Sequence, residues 1–170
     1  FVNQFKSHDQ NETVLKVNYK EGTVDLKYEV YINYYEILNG LKSHKRYKAY
    51  SDKLNNYINQ FIPSNTKYIV SLNDDASVKL SEYILEKTGK NYTKKKKPEI
   101  FIQDKLRELK NIEGTVVVVG SCISNGKNLL YISRALRKLD KLRIVYFIGI
   151  SRTRNKEYLS FLKSNLKQGN

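Results

Sequence analysis

The sequence predicts an α/β protein: a Rossmann-like, mostly parallel sheet covered by helices, with a β-hairpin and helix extension at its amino end. Three observations carry that prediction. Val116 to Val119 is an unbroken valine run, Arg143 to Ile150 (RIVYFIGI) is a second apolar run, and Lys67 to Leu72 (KYIVSL) is a shorter third. Continuous apolar strands mark a sheet buried on both faces. Each run is followed by apolar residues at helical spacing, and strand–helix alternation implies parallel strands joined by crossovers. A period-two pattern appears only near the amino end, where Val24, Leu26, Tyr28, Val30 and Ile32 alternate with Asp25, Lys27, Glu29 and Tyr31, as in a half-buried strand.

In chain order, Thr13 to Tyr19 and Thr23 to Ile32 read as strands joined by Lys20-Glu21-Gly22 as a hairpin loop. Asn33 to Leu38 starts a helix that Gly40 interrupts. From Ser43 to Phe61 an apolar stripe of Tyr47, Tyr50, Leu54, Tyr57, Ile58 and Phe61 predicts a helix closed by Pro63. Lys67 to Leu72 is a strand, and Asn73-Asp74-Asp75 a turn and helix cap. Ala76, Val78, Leu80, Ile84 and Leu85 give a helix that ends at Gly89. A basic loop from Lys90 to Pro98 holds Lys94 to Lys97 in succession. Glu99 to Gln103 predicts a short strand and Asp104 to Leu109 a short helix. After the valine strand comes a small-residue loop from Gly120 to Asn128. Leu129, Leu130, Ile132, Ala135, Leu136 and Leu139 then recur at helical spacing, and a last helix runs from Asn155 to Leu166. This divides the chain into a hairpin extension over 1–42, an added edge element or the remnant of a preceding domain, and an α/β domain over 43–170.

Composition narrows the function. The 170 residues carry 31 Lys+Arg against 17 Asp+Glu, a formal net charge of +14, and are 40% hydrophobic. That excess favours a polyanionic partner, whether nucleic acid, nucleotide or acidic protein, or else a solvated basic surface. Cys122 is the only cysteine, which excludes an intrachain disulfide and a paired-cysteine zinc site. His8 and His44 are far from it in sequence. No stretch is long and apolar enough to span a membrane and no secretory leader opens the chain, so a cytoplasmic location without a membrane partner is expected. The chain begins at Phe1 and has no Met, the expectation for a piece of a longer protein.

Ligands of open α/β sheets bind beyond the carboxyl ends of the strands. Here those ends are Asn73 to Ser77, Gly120 to Asn128, and Ser151-Arg152-Thr153-Arg154. One carries acids, one a glycine with hydroxyls, and one arginines that can clamp a phosphate bidentately. A glycine-bearing loop between strand and helix aims backbone N–H groups and a positive helix end at an anion. Read as a nucleotide P-loop, the middle loop is a weak match: five residues separate Gly120 from Gly126-Lys127 where that motif has four, and Asn128 stands where it needs a hydroxyl. Lys94 to Lys97 either fold over a bound anion, touch a nucleic-acid backbone, or form a solvated loop. The tyrosines from Tyr28 to Tyr57 either stack on bases or pack, and their apolar phase argues for packing.

Val116 to Leu129 resembles the signature of type I phosphoribosyltransferases, in which apolar strand residues precede two acids, a hydroxyl-rich glycine-containing phosphate cradle and a helix. The resemblance extends more loosely from Lys67 to Leu166. It implies a phosphorylated ribose or nucleotide ligand, held by Ser121, Ser124, Asn125, Gly126, Lys127, Asn128, Arg152 and Arg154. It also implies Mg2+ brought by the ligand's pyrophosphate, and glycosyl transfer or hydrolysis if the domain is active. Leu72 to Ser77 takes the place of the family's pyrophosphate turn, and Lys90 to Pro98 that of its mobile basic segment. Gly120 and Ser121 stand where the family has its two acids, and Asn125 and Asn128 where it has threonines. Asp74 and Asp75 are then the candidate catalytic carboxylates, with helix capping as their other reading. Outliers of this family occur in bacterial conflict and antiviral systems, which implies a defence role by analogy. The alternative is a catalytically inactive basic module that docks nucleic acid or a partner protein.

Overall fold

The structure, a computed structural model, describes residues 14–19, 28–92, 97–109, 113–139, 141–153 and 155–167. They fall into two compact units, divided between Lys53 and Leu54.

In the first unit, β1 (Leu15–Tyr19) and β2 (Tyr28–Ile32) pair antiparallel, with Leu15 opposite Ile32 and Val17 opposite Val30. The expected hairpin loop, Lys20 to Gly22, lies outside the described residues. Helix α1 (Tyr34–Gly40) is capped by Asn33, whose Oδ1 accepts the Glu36 N–H. The helix ends at Gly40, where the Tyr47 ring packs in the space that a Cβ would take. Tyr34 is buried, edge-on to Tyr50, and their hydroxyls lie 2.6 Å apart. Tyr34 and Tyr47 are thus packing residues, as their phase suggests. A 3₁₀ turn (Lys45–Tyr47) leads into α2 (Lys48–Phe61), within which the division falls.

The second unit is built on β3 (Thr66–Ser71), α3 (Asp75–Thr88), β4 (Glu99–Ile102), β5 (Gly114–Ile123), α4 (Lys127–Leu136), β6 (Leu142–Ser151) and α5 (Lys156–Lys167). A short 3₁₀ helix (Gln103–Glu108) follows β4. The strands form one parallel sheet in the order β4-β3-β5-β6, a Rossmann-like α/β arrangement. Val116 and Val118 pack with Val70 and Ile144 against Leu129, Ile132 and Leu136 of α4 and Leu162 and Leu166 of α5. Val117, Val119 and Ile69, also fully buried, alternate to the opposite face, which α3 covers by packing on β3 and β5. Burial on both faces is why these strands read as unbroken apolar runs.

One boundary differs from expectation in a way that shapes the site. The loop predicted from Gly120 is strand as far as Ile123. Gly120 pairs with Ile148, Cys122 with Ile150 and Ile123 with Ser151. Gly120 is small because Leu72 and Ile148 pack on it, 3.0 and 3.1 Å from where a Cβ would be. Its smallness reflects a tight sheet, not a turn. The connection shrinks to Ser124, Asn125 and Gly126.

Candidate functional site at the carboxyl rim

The chain leaves β3 for β4 on one side and returns to β5 on the other, from where it continues outward to β6. The crevice between the carboxyl ends of β3 and β5 is therefore the topological switch point of the sheet, where doubly wound folds bind their ligands.

At the end of β3, Asp74 caps α3. Its Oδ1 accepts the Ser77 N–H at 2.8 Å and its Oδ2 accepts the Ser77 hydroxyl at 2.6 Å. The same Oδ1 accepts the Ser121 hydroxyl from β5 at 2.8 Å, and Ser77 Oγ accepts the buried Ser121 N–H at 2.8 Å. One carboxylate and two serines thus tie the helix cap to the neighbouring strand. A carboxylate has about four acceptor positions; three are occupied within this network. Asp75, the first residue of α3, is exposed and makes no part of it.

At the end of β5, the turn is organised by Asn125 and Gly126. Asn125 Oδ1 accepts the Lys127 N–H at 3.1 Å, and its carbonyl accepts the Tyr158 hydroxyl at 2.8 Å. Gly126, at φ +63°, is the N-cap of α4 and offers no capping side chain. Leu162 of α5 packs where its Cβ would be, so both the conformation and the space require glycine. Helix geometry gives the first-turn amides of Asn128 and Leu129 no acceptor inside the helix. Ser124, Asn125, Lys127 and Asn128 are exposed, whereas Ser121 and Gly126 are buried.

At the end of β6, the Arg152 N–H donates to the Ile123 carbonyl at 2.7 Å, which holds Arg152 beside the turn. Burial pushes the Cys122 thiol above its ordinary value. The Arg152 guanidinium, which hydrogen-bonds it, pulls the other way, and the Asp74 carboxylate adds to the rise. Cys122 is accordingly a neutral thiol at pH 7 with an arginine on one side and a carboxylate near it.

Of the predicted residues, Asp74, Ser121, the turn from Ser124 to Asn128, and Arg152 come together on one rim. Ser121 uses both its amide and its hydroxyl within the serine–aspartate tie. Arg154 and Lys94 to Lys96 lie outside the described residues, and Lys97 is exposed. Ser77, the last residue of the rim segment expected from Asn73 to Ser77, joins the site through its place three after an Asp cap, which is a readable signal. Tyr158 lies outside every expected site segment, and no local pattern announces it. Among the described residues, no group of three or more His, Cys, Asp or Glu gathers as a metal cluster, and no helix is long and apolar enough to cross a membrane.

These features define a Rossmann-like α/β unit with a carboxylate, an open helix end and an arginine at its switch point. No protein-family model matches the chain, and no curated protein matches its sequence.

Proposed function

We propose that the second unit binds a phosphorylated ribose or nucleotide at this rim, in the manner of a phosphoribosyltransferase-like domain. The observation that carries the reading is the convergence on one rim of the Asp74 carboxylate, the start of α4, whose Asn128 and Leu129 amides the helix cannot satisfy, and Arg152. The phosphate sits on the amides of Asn128 and Leu129, where helix geometry and the macrodipole favour an anion. Lys127 and Arg152 neutralise it, and Arg152 donates charge-assisted hydrogen bonds. The ribose hydroxyls face Asp74. Where the resembled family has acids following its apolar strand, this chain has Gly120 and Ser121. The Ser121 hydroxyl instead holds the Asp74 carboxylate at 2.8 Å, so the neighbouring strand supplies an acid at that place, with one acceptor position open to a ribose hydroxyl. Any magnesium comes with a pyrophosphate. Chemistry at the anomeric carbon would rest on positioning and charge stabilisation.

Calorimetric titration tests this with ribose 5-phosphate, a nucleoside monophosphate, and phosphoribosyl pyrophosphate with Mg2+. The wild-type chain is expected to bind at least one saturably, and Arg152→Gln to weaken that binding about tenfold or more, the scale of a lost charged hydrogen bond. Absence of binding to all three, or equal affinity in Arg152→Gln, contradicts the proposal.

A further inference from the structure

The acids of the chain are unevenly spread: residues 114–170, a third of the chain, hold 11 of the 31 Lys+Arg but only 2 of the 17 Asp+Glu, and so a net +9 of the +14. Five of these Lys+Arg and one of the acids fall on α4 and α5. The two helices lie side by side and parallel on one face of the sheet. Tyr158 near the start of α5 hydrogen-bonds Asn125 just before α4, and Arg137 Nη2 after α4 donates to the Asn165 carbonyl in the last turns of α5 at 2.6 Å. Both bury their apolar sides in the same core cluster, so their outer sides form one continuous surface.

On α4, Lys127, Tyr131 and Arg134 recur at i, i+4 and i+7, and Lys138 follows in the turn beyond; all four are exposed, and Tyr131 is 53% accessible. On α5, Lys156, Lys163 and Lys167 form a second exposed stripe. Phe161, 62% accessible, lies three residues after Tyr158 and four before Asn165. It therefore shares the flank of α5 that meets α4, between the α4 stripe and the α5 stripe, which runs along the flank away from α4. Glu157 is the only acid on either helix.

Basic side chains attract any polyanion, but exposed aromatic rings set among them fit one in particular. We infer that the outer surface of α4 and α5 binds single-stranded nucleic acid. Its phosphates run along the lysine and arginine stripes and its unpaired bases stack on Phe161 and Tyr131. A duplex keeps its bases stacked inward and offers these rings nothing. Of the carboxyl-rim residues only Lys127 is shared with this surface, and none of the variants below alters it, so this inference stands or falls apart from the phosphate-ligand reading.

Fluorescence anisotropy of the whole chain, with a labelled deoxythymidine oligomer of about 20 nucleotides and a duplex of equal length, tests it over a salt series. Tighter binding to the single strand is expected. Phe161→Ala and Tyr131→Ala should each weaken it about tenfold, on the scale of one lost base stack, with the salt slope unchanged. Arg134→Gln with Lys138→Gln should lower the slope of log K against log salt by about 1.4, two phosphate contacts' worth. These positions are exposed, and an unchanged thermal midpoint verifies that each variant folds. Equal affinity for the duplex, or single-strand affinity unaltered by Phe161→Ala and Tyr131→Ala, overturns the inference. Failure of the wild type to bind the single strand overturns it as well.

Discussion

The carboxyl ends of β3 and β5 are built from the same parts, strand, short turn and helix, yet they end in opposite states. After β3, Asp74 caps its own helix and accepts both the amide and the hydroxyl of Ser77. The start of α3 is thus satisfied within the chain and carries a negative charge. After β5, the cap is Gly126, which has no side chain to give. The start of α4 keeps amides that the helix cannot satisfy. A closed helix end stabilises the fold, whereas an open one beside a basic residue is available to an anion. Their adjacency across the switch point, tied together through Ser121, lets the closed end position the open one.

The largest effect should come from destroying the open turn. Gly126→Val forces a branched residue into a left-handed conformation and drives it into Leu162. A loss of about 3 kcal/mol is expected in urea unfolding, along with loss of ligand binding. Next is the closed end. Asp74→Ala removes the cap and the tie to β5 and should cost about 2 kcal/mol. Asp74→Asn keeps a capping oxygen and should retain most of that stability while weakening ribose binding, so the pair of variants separates scaffold from site. Ser121→Ala removes one hydroxyl from the tie and should cost about 1 kcal/mol by the same measurement.

The smallest effect concerns pH. Burial raises the Cys122 thiol in the folded state, so the folded chain holds that proton more tightly than the unfolded one. This contribution is complete below the unfolded value, about 8.5, and is lost as pH rises through the folded one. Urea unfolding at two pH values on either side of that range should show a decline in wild type that Cys122→Ser reduces.

Much of this architecture was legible in the sequence. The valine run is unbroken because β5 is covered on both faces, whereas the RIVYFIGI run forms the edge strand β6, of which only Ile144 and Phe147 are buried, and Asp74 announced a cap by its place before an apolar helical pattern. The end of β5 was not legible. Gly120 and Ser121 look like turn residues, but their smallness answers to Leu72 and Ile148 packing on Gly120 and to Ser77 and Asp74 meeting Ser121. The tie from Asp74 to Ser121 spans 47 residues and that from Tyr158 to Asn125 spans 33. No local pattern encodes contacts at such separations; they follow from strand order, which placed β5 between β3 and β6.

The open end of α4 can be observed directly by following backbone amide resonances of the isotope-labelled chain during titration with ribose 5-phosphate. The largest saturable shifts should fall on Asn128 and Leu129 and on the turn at Ser124 and Asn125, with those of the α3 cap smaller. Resonances of the turn that stay fixed at saturating ligand, or shifts that concentrate away from this rim, would contradict the account.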